Sequence, residues 1–212
     1  TYASPSFADS SKQSRGLSIK PKITSLAALN SGQYRALIIG NDRYAQNNNN
    51  VWKPLKTAVK DANAVASILR QEYGFKDINV LTNATRKEIL LALQSLSKRV
   101  MRNDSVLVYY AGHGFLDDDS NKGYWIPVDA KGTDHTTYVR NSTVRDEVSL
   151  IASRSQHTLL ISDSCFSGSL LRGDTRGIQI QEKNERYYDK VSKKKSVQIL
   201  TAGGIEYVDD NY

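Results

Sequence analysis

Two residues of this chain have the types and surroundings for nucleophilic catalysis at a carbonyl. Cys165, the only cysteine, stands in Asp163-Ser164-Cys165-Phe166-Ser167-Gly168, and His113 lies between glycines in Ala111-Gly112-His113-Gly114. Amide hydrolysis by a thiol needs a thiolate, a base that later protonates the leaving amine, and N–H donors for the oxyanion. Imidazole titrates in the useful range, and an adjacent imidazolium lowers a thiol's pKa. Glycines beside both residues let a substrate backbone approach. Either feature alone is weak, since a lone cysteine is by default a small buried hydrophobe. At the ends of two core strands, about fifty residues apart, they reinforce each other. The other histidines lack such surroundings: His135 lies in a polar loop and His157 opens a strand. One cysteine also excludes an internal disulfide and a Cys-based zinc site.

The elements that must position this pair are legible as an alternation of strands and helices. Tyr34 to Gly40 is a short apolar run suited to a strand buried on both faces. A polar loop, Asn41 to Lys53, follows. Pro54 suits a first helical turn, and Leu55, Ala58, Val59, Ala62, Val65 and Leu69 recur at helical spacing up to Tyr73. Gly74 ends that helix before a strand over Asp77 to Leu81. Thr85 with Glu88 forms a capping-box pattern ahead of Ile89, Leu90, Leu93, Leu96 and Val100. Ser105 to Ala111 is a third strand, Gly123 to Val128 a hairpin arm, and Thr143 to Ala152 a helix. His157 to Asp163 and Ser196 to Ala202 are the fourth and fifth core strands. This order predicts an α/β sandwich with a mostly parallel central sheet flanked by helices. Functional groups in such sheets gather at the carboxyl ends of strands, where His113 and Cys165 fall.

Tyr109 to Gly114 (YYAGHG) with Tyr124 to Asp129 (YWIPVD) resembles the histidine segment of the caspase, metacaspase and paracaspase clan. Asp163 to Gly168 (DSCFSG) resembles its nucleophile segment, and residues 34 to 44 with Leu55 to Phe75 its first strand and helix. The resemblance spans residues 34 to 207 and implies a caspase-like three-layer sandwich. Where animal caspases carry Gln-Ala before the cysteine, this chain has Asp163-Ser164, so it resembles the metacaspase and paracaspase branches. The resemblance implies a cysteine endopeptidase with Cys165 as nucleophile and His113 as base, and an oxyanion hole formed by the N–H groups of Gly114 and Cys165. It places Asp163 in the pocket for the residue preceding the cut, with Asp61 and Glu206 as further acidic positions. Carboxylates there suit Arg or Lys by charge-assisted hydrogen bonding and repel Asp. Asp61 stands out on its own as well. It lies at the edge of the apolar arc near Ala58, Val65 and Ile68, where burial is costly without a partner.

At 212 residues the chain is long enough for one domain with a substantial core. Residues 1 to 32 read as a leader or linker and 33 to 212 as the catalytic domain. The start at Thr1 and the stop at Tyr212, about ten residues past the fifth strand, suggest a processed or partial chain. The missing C-terminal part of its own domain is then an expected partner, beside peptide substrates with basic residues. No apolar run is long enough to cross a bilayer and no secretory h-region is visible, so no membrane partner is expected and localisation stays unassigned. The formal charge of +7 is not gathered on one aromatic-interleaved element, which argues against a nucleic-acid partner. Asp117-Asp118-Asp119 invites a calcium reading. It does not reproduce the spaced acidic pattern associated with calcium-activated metacaspases, and three consecutive Asp residues read as a solvated loop, so no metal is assigned. Residues 172 to 195 are basic and match the clan's maturation linker. Lys190, Lys193, Lys194 and Lys195 are its candidate self-cleavage positions. The rival reading is a non-catalytic caspase-like scaffold that only binds partners.

Overall fold

Residue patterns along the chain set the strands and helices, and a computed structural model shows how they assemble. It describes residues 32–44, 51–164 and 194–202. Strand β1 (Tyr34–Gly40) is buried from Arg35 to its end. It lies between β2 (Asp77–Thr82) and β3 (Ser105–Ala111), followed by β7 (His157–Asp163) and β8 (Ser196–Thr201), in the order β2-β1-β3-β7-β8. All four pairings are parallel. Three short strands, β4 (Gly114–Asp117), β5 (Lys122–Trp125) and β6 (Val139–Arg140), form a separate antiparallel sheet directly after the histidine. The hairpin arm expected at 123–128 is β5, and its partner β4 begins at Gly114. β6 escapes sequence reading because two residues carry no periodicity.

Helix α1 (Ala58–Glu72) covers one face of the large sheet, while α2 (Arg86–Arg99) and α3 (Asn141–Arg154) cover the other. α1 buries Ala58, Ala62, Ala66 and Leu69, a mostly small-residue stripe that brings its backbone close to β1. A Cβ built on Gly40 would meet the Ala58 carbonyl oxygen at 2.6 Å and the Ala62 Cβ at 2.7 Å. The helix starts at Ala58, one turn later than Pro54 suggests. Leu55 N–H is tied to Asp42 O (3.0 Å), which holds residues 54–57 as a loop over the sheet end. Gly74, at φ +71°, turns the chain out of α1 in a conformation that favours glycine. α2 begins with the expected capping box: Glu88 N–H donates to Thr85 Oγ1 (3.3 Å) and Thr85 N–H to Glu88 Oε2 (2.8 Å).

The chain winds outward from β1 through α1 to β2, then returns through α2 to β3 on the other side of β1. The sheet therefore has a topological switch point at the carboxyl ends of β1 and β3, where α/β folds bind their ligands. Among the described residues no helix is long and apolar enough to cross a membrane.

Candidate active site

Three strand ends meet at this switch point and are stitched by their own backbones. Asn41 N–H, just past β1, donates to Ala111 O at the end of β3 (2.9 Å), and Gly112 N–H donates to Asp163 O at the end of β7 (3.3 Å). The Asn41 side chain is fully buried. Its Oδ1 accepts from Ala84 N–H (2.8 Å) and its Nδ2 donates to Ala84 O (3.2 Å), linking β1 to the entry of α2.

Two buried tyrosines clamp the histidine loop. Tyr44 Oη accepts from His113 N–H (2.9 Å) and donates to Ile126 O (3.3 Å). Tyr110 Oη accepts from Ile126 N–H (3.2 Å) and shares its proton between His113 O (2.8 Å) and Ile126 O (3.0 Å). Burial pushes both phenols well above their ordinary pKa, so they stay neutral and keep their protons for these bonds. A Cβ on Gly112 would meet the Tyr110 hydroxyl at 2.8 Å and the Tyr44 hydroxyl at 2.9 Å, so only glycine lets both approach. Beneath them Trp125 stacks on Tyr110, with centroids 4.3 Å apart, and donates Nε1–H to Ser162 Oγ on β7 (3.0 Å). The clamp thus runs from the histidine loop to the strand that leads to Cys165.

The His113 ring is oriented by a backbone carbonyl. Its Nε2 lies 2.7 Å from Lys53 O, and a carbonyl only accepts, so Nε2 carries the hydrogen. In the neutral ring the lone pair is then on Nδ1. Tyr44 and Trp52 pack against the ring at centroid distances of 4.8 and 5.5 Å. The next residue, Gly114, opens β4 opposite Trp125. Ile126 N–H donates to His113 O (3.0 Å), the pattern of a pair not itself hydrogen-bonded, so Gly114 N–H points out of the hairpin.

Two of the three predicted acidic positions, Asp163 and Asp61, lie within electrostatic reach of Tyr109. Asp163 ends β7 opposite Ala111, and Asp61 precedes Ala62 on α1. Both carboxylates act electrostatically on the buried phenol of Tyr109, which stands diagonally across the β3–β7 ladder from Asp163. Burial first, then the charges of Asp163 and Asp61, push that phenol far above its ordinary pKa. Glu206 and Cys165 lie outside the described residues, as do Lys190 and Lys193. Lys194 is exposed, and Lys195 Nζ donates to Ser153 O (2.5 Å) near the end of α3.

His157 sits at the opposite end of the sheet, 2.9 Å from Ser196 Oγ. His135 is not the plain polar-loop residue its neighbours suggest, for its ring packs on Phe115, Tyr124 and Tyr138. In the Asp-rich loop the Asp117 carboxylate accepts from Ser120, while Asp118 and Asp119 are exposed. Among the described residues no three His, Cys, Asp or Glu side chains gather as a metal site. Sequence reasoning missed Tyr44, Trp52, Tyr109, Tyr110 and the Lys53 carbonyl. One signal was present: adjacent tyrosines in a strand must face opposite ways, so Tyr110 goes to the α2–α3 side and Tyr109 to the α1 side.

A parallel sheet ordered 2-1-3 with a glycine-flanked histidine at the end of its third strand defines a caspase-like α/β domain. The chain belongs to the caspase domain family, whose model matches residues 33–203. It is 30% identical over 162 residues to a metacaspase-1B of Aspergillus oryzae, covering 66% of this chain and 36% of that protein. It is also 30% identical over 158 residues to a metacaspase-1A of Neurospora crassa, covering 66% and 33%. The chain thus spans about a third of the length of these curated relatives. A crystal structure of a Geobacter sulfurreducens protein matches with a TM-score of 0.52 at 23% identity. It covers 66% of this chain and 53% of that one, a likeness of fold.

Proposed function

We propose that this domain is a cysteine endopeptidase cutting after Arg or Lys. The observation that supports the reading is the place of Asp163 at the end of β7, on the strand that leads to Cys165. Asp61 lies on the helix covering the same sheet face, and both charges are felt at Tyr109. Cys165 follows Asp163 by two residues, so their Cα atoms are at most about 7 Å apart. The thiol proton passes to His113 Nδ1 and the sulfur attacks the scissile carbonyl carbon. The N–H groups of Gly114 and Cys165 receive the oxyanion. His113 returns the proton to the leaving amine as the C–N bond breaks. A water, deprotonated by the same nitrogen, then hydrolyses the thioester and frees the sulfur. The Lys53 carbonyl supports each step by keeping Nε2 protonated, which leaves the lone pair on Nδ1.

Substrates are proteins or peptides with basic residues, held by Asp163 and Asp61, with Glu206 as a third acid. The basic segment 172–195 is a substrate of the same site, and the remainder of the domain is its structural partner. The test is a matched peptide panel with Arg, Lys or Asp before the cut, run with Cys165→Ala as control. Cleavage of the Arg and Lys peptides alone, abolished in Cys165→Ala, is expected. Cleavage after Asp would refute the pocket, and undiminished turnover by Cys165→Ala the mechanism.

A further inference from the structure

Tyr109 is a buried polar group that the chemistry at His113 does not use. Its neighbour Tyr110 serves the histidine loop from the other face of the sheet. On the α1 face, Tyr109 pairs with Ile161 across the β3–β7 ladder, and Ala111 pairs with Asp163 two residues on. Ala111 has no side chain beyond Cβ. The space beside Asp163 is therefore open for the Tyr109 ring to reach along the strand. Above it, the Ala58, Ala62 and Ala66 stripe lets α1 lie close to the same face of the sheet, and Asp61 stands beside Ala62 on that helix, near enough for its charge to act on the Tyr109 phenol. Tyr109 is 6% exposed, and as a diagonal neighbour on the adjacent strand its long side chain is in reach of Asp163.

We propose that Tyr109 is a positioning residue of the specificity pocket, fixing the Asp163 carboxylate towards the cation of the incoming side chain. The inference rests on the reading of Asp61 and Asp163 as the pocket for a basic residue. A carboxylate has about four acceptor directions. The phenol takes one and leaves the others to a guanidinium or ammonium. The phenol oxygen is at the same time a further acceptor in reach of that group. A carboxylate at a strand end rotates unless a donor holds it, and a phenol whose pKa is raised by burial and by neighbouring carboxylates keeps its proton for that role. Without it, Asp163 would be oriented only once substrate had bound, and the cost of that ordering would appear in KM.

The experiment compares wild type with Tyr109→Phe on two peptides differing only in arginine or its neutral isostere citrulline before the cut. The Phe variant keeps the ring and removes one oxygen. A hydrogen bond to a charged group corresponds to roughly a tenfold change in binding. KM for the Arg peptide should therefore rise about tenfold with kcat little changed, and the Arg-over-citrulline ratio of kcat/KM should fall by the same factor. A Tyr109 that only fills the core would lower both peptides equally and leave the ratio intact, which overturns the proposal. A thermal melt of the variant is run first. If Tyr109→Phe does not fold, Tyr109→His, which retains a ring donor, is read in its place and should keep part of the discrimination; an unchanged or wholly lost ratio there counts against the proposal. If wild type itself cuts Arg and citrulline peptides alike, the basic-pocket reading falls and takes this inference with it. If wild type discriminates and the Phe variant does so equally well, only the role of Tyr109 is wrong.

Discussion

Asp163 and Asp61 are not equivalent. Asp163 sits two residues before Cys165, on a strand end whose backbone is held by Gly112 N–H. Asp61 lies in the first turn of α1, on a separate element. Asp163→Ala should therefore cost more in kcat/KM for Arg peptides than Asp61→Ala. Steady-state kinetics of the two variants decides it, and an equal or reversed order would count against the assignment. The His113 side is governed by tautomer. The nitrogen proposed as its base is set by a backbone carbonyl, so no side-chain substitution at Lys53 removes the oxygen. Lys53→Ala should accordingly leave kcat within about twofold, since the hydrogen bond is made by the main chain. A large loss in kcat would show that the lysine side chain itself takes part.

Elements matter here through how they start and where they end. The Thr85–Glu88 capping box opens the helix whose N-terminal neighbour, Ala84, is bonded to Asn41 beneath the site. Thr85→Ala should lower stability by about 1 kcal/mol, the ordinary value of such a cap, measured by denaturant unfolding. The start of β8 bears on self-processing. Ser196 N–H is bonded to Gln156 O (3.0 Å), and Lys195 is fastened to the end of α3. A peptide bond engaged in a sheet is a poor entrant to a cleft, whereas an exposed segment enters readily. Cutting after Lys190, Lys193 or Lys194 is thus expected in preference to Lys195. Intact mass and N-terminal sequencing of the active protein, with Cys165→Ala alongside, read the position directly. A single cut between Lys195 and Ser196 would contradict the role given to β8.

At the scale of the whole molecule, the amino ends of the strands are fastened by a charged network far from the chemistry. Arg35 Nε donates to Asp104 (2.7 Å) and its NH1 to Asp77 (2.5 Å), and Arg99 closes on Asp77 as well (2.9 Å). Asp104 also accepts from Gln33 N–H and Met101 N–H, both at 2.8 Å, and its side chain is only 3% exposed. Desolvation acts to raise the Asp104 pKa. The bonds from Arg35 and the two N–H groups outweigh it and hold the carboxyl below its ordinary range. A carboxylate with a depressed folded pKa contributes stability that is complete above its unfolded value, near 4, and is lost as pH falls through the folded value. Unfolding free energy should therefore decline below about pH 4. Asp104→Asn should be less stable at neutral pH, by about 3 kcal/mol for breaking a buried pair, and flatter across the acid range. Denaturant titrations from pH 7 to 3 compare the two slopes, and parallel slopes would mean that Asp104 does not govern the acid response.

The sequence by itself determined the strand and helix alternation, the capping box and the two chemical segments, because each is written in local spacing. Period-two and period-3.6 patterns and a glycine-flanked histidine need no distant partner to be recognised. A helical wheel also singles out Asp61, while Asp163 is marked as an acid of interest by the resemblance to the caspase clan. What only the tertiary structure decided was who touches whom across the sheet. Lys53 acts through its carbonyl, which carries no residue identity, and Tyr44 reaches His113 across 69 positions of chain. α1 begins at Ala58 and not at Pro54 because a long-range bond to Asp42 outweighs the local preference of proline for a first turn. Two adjacent tyrosines look alike in sequence, yet pleating sends one to the histidine loop and the other to the acids. That division follows from strand register, and register is fixed only when the whole sheet is assembled.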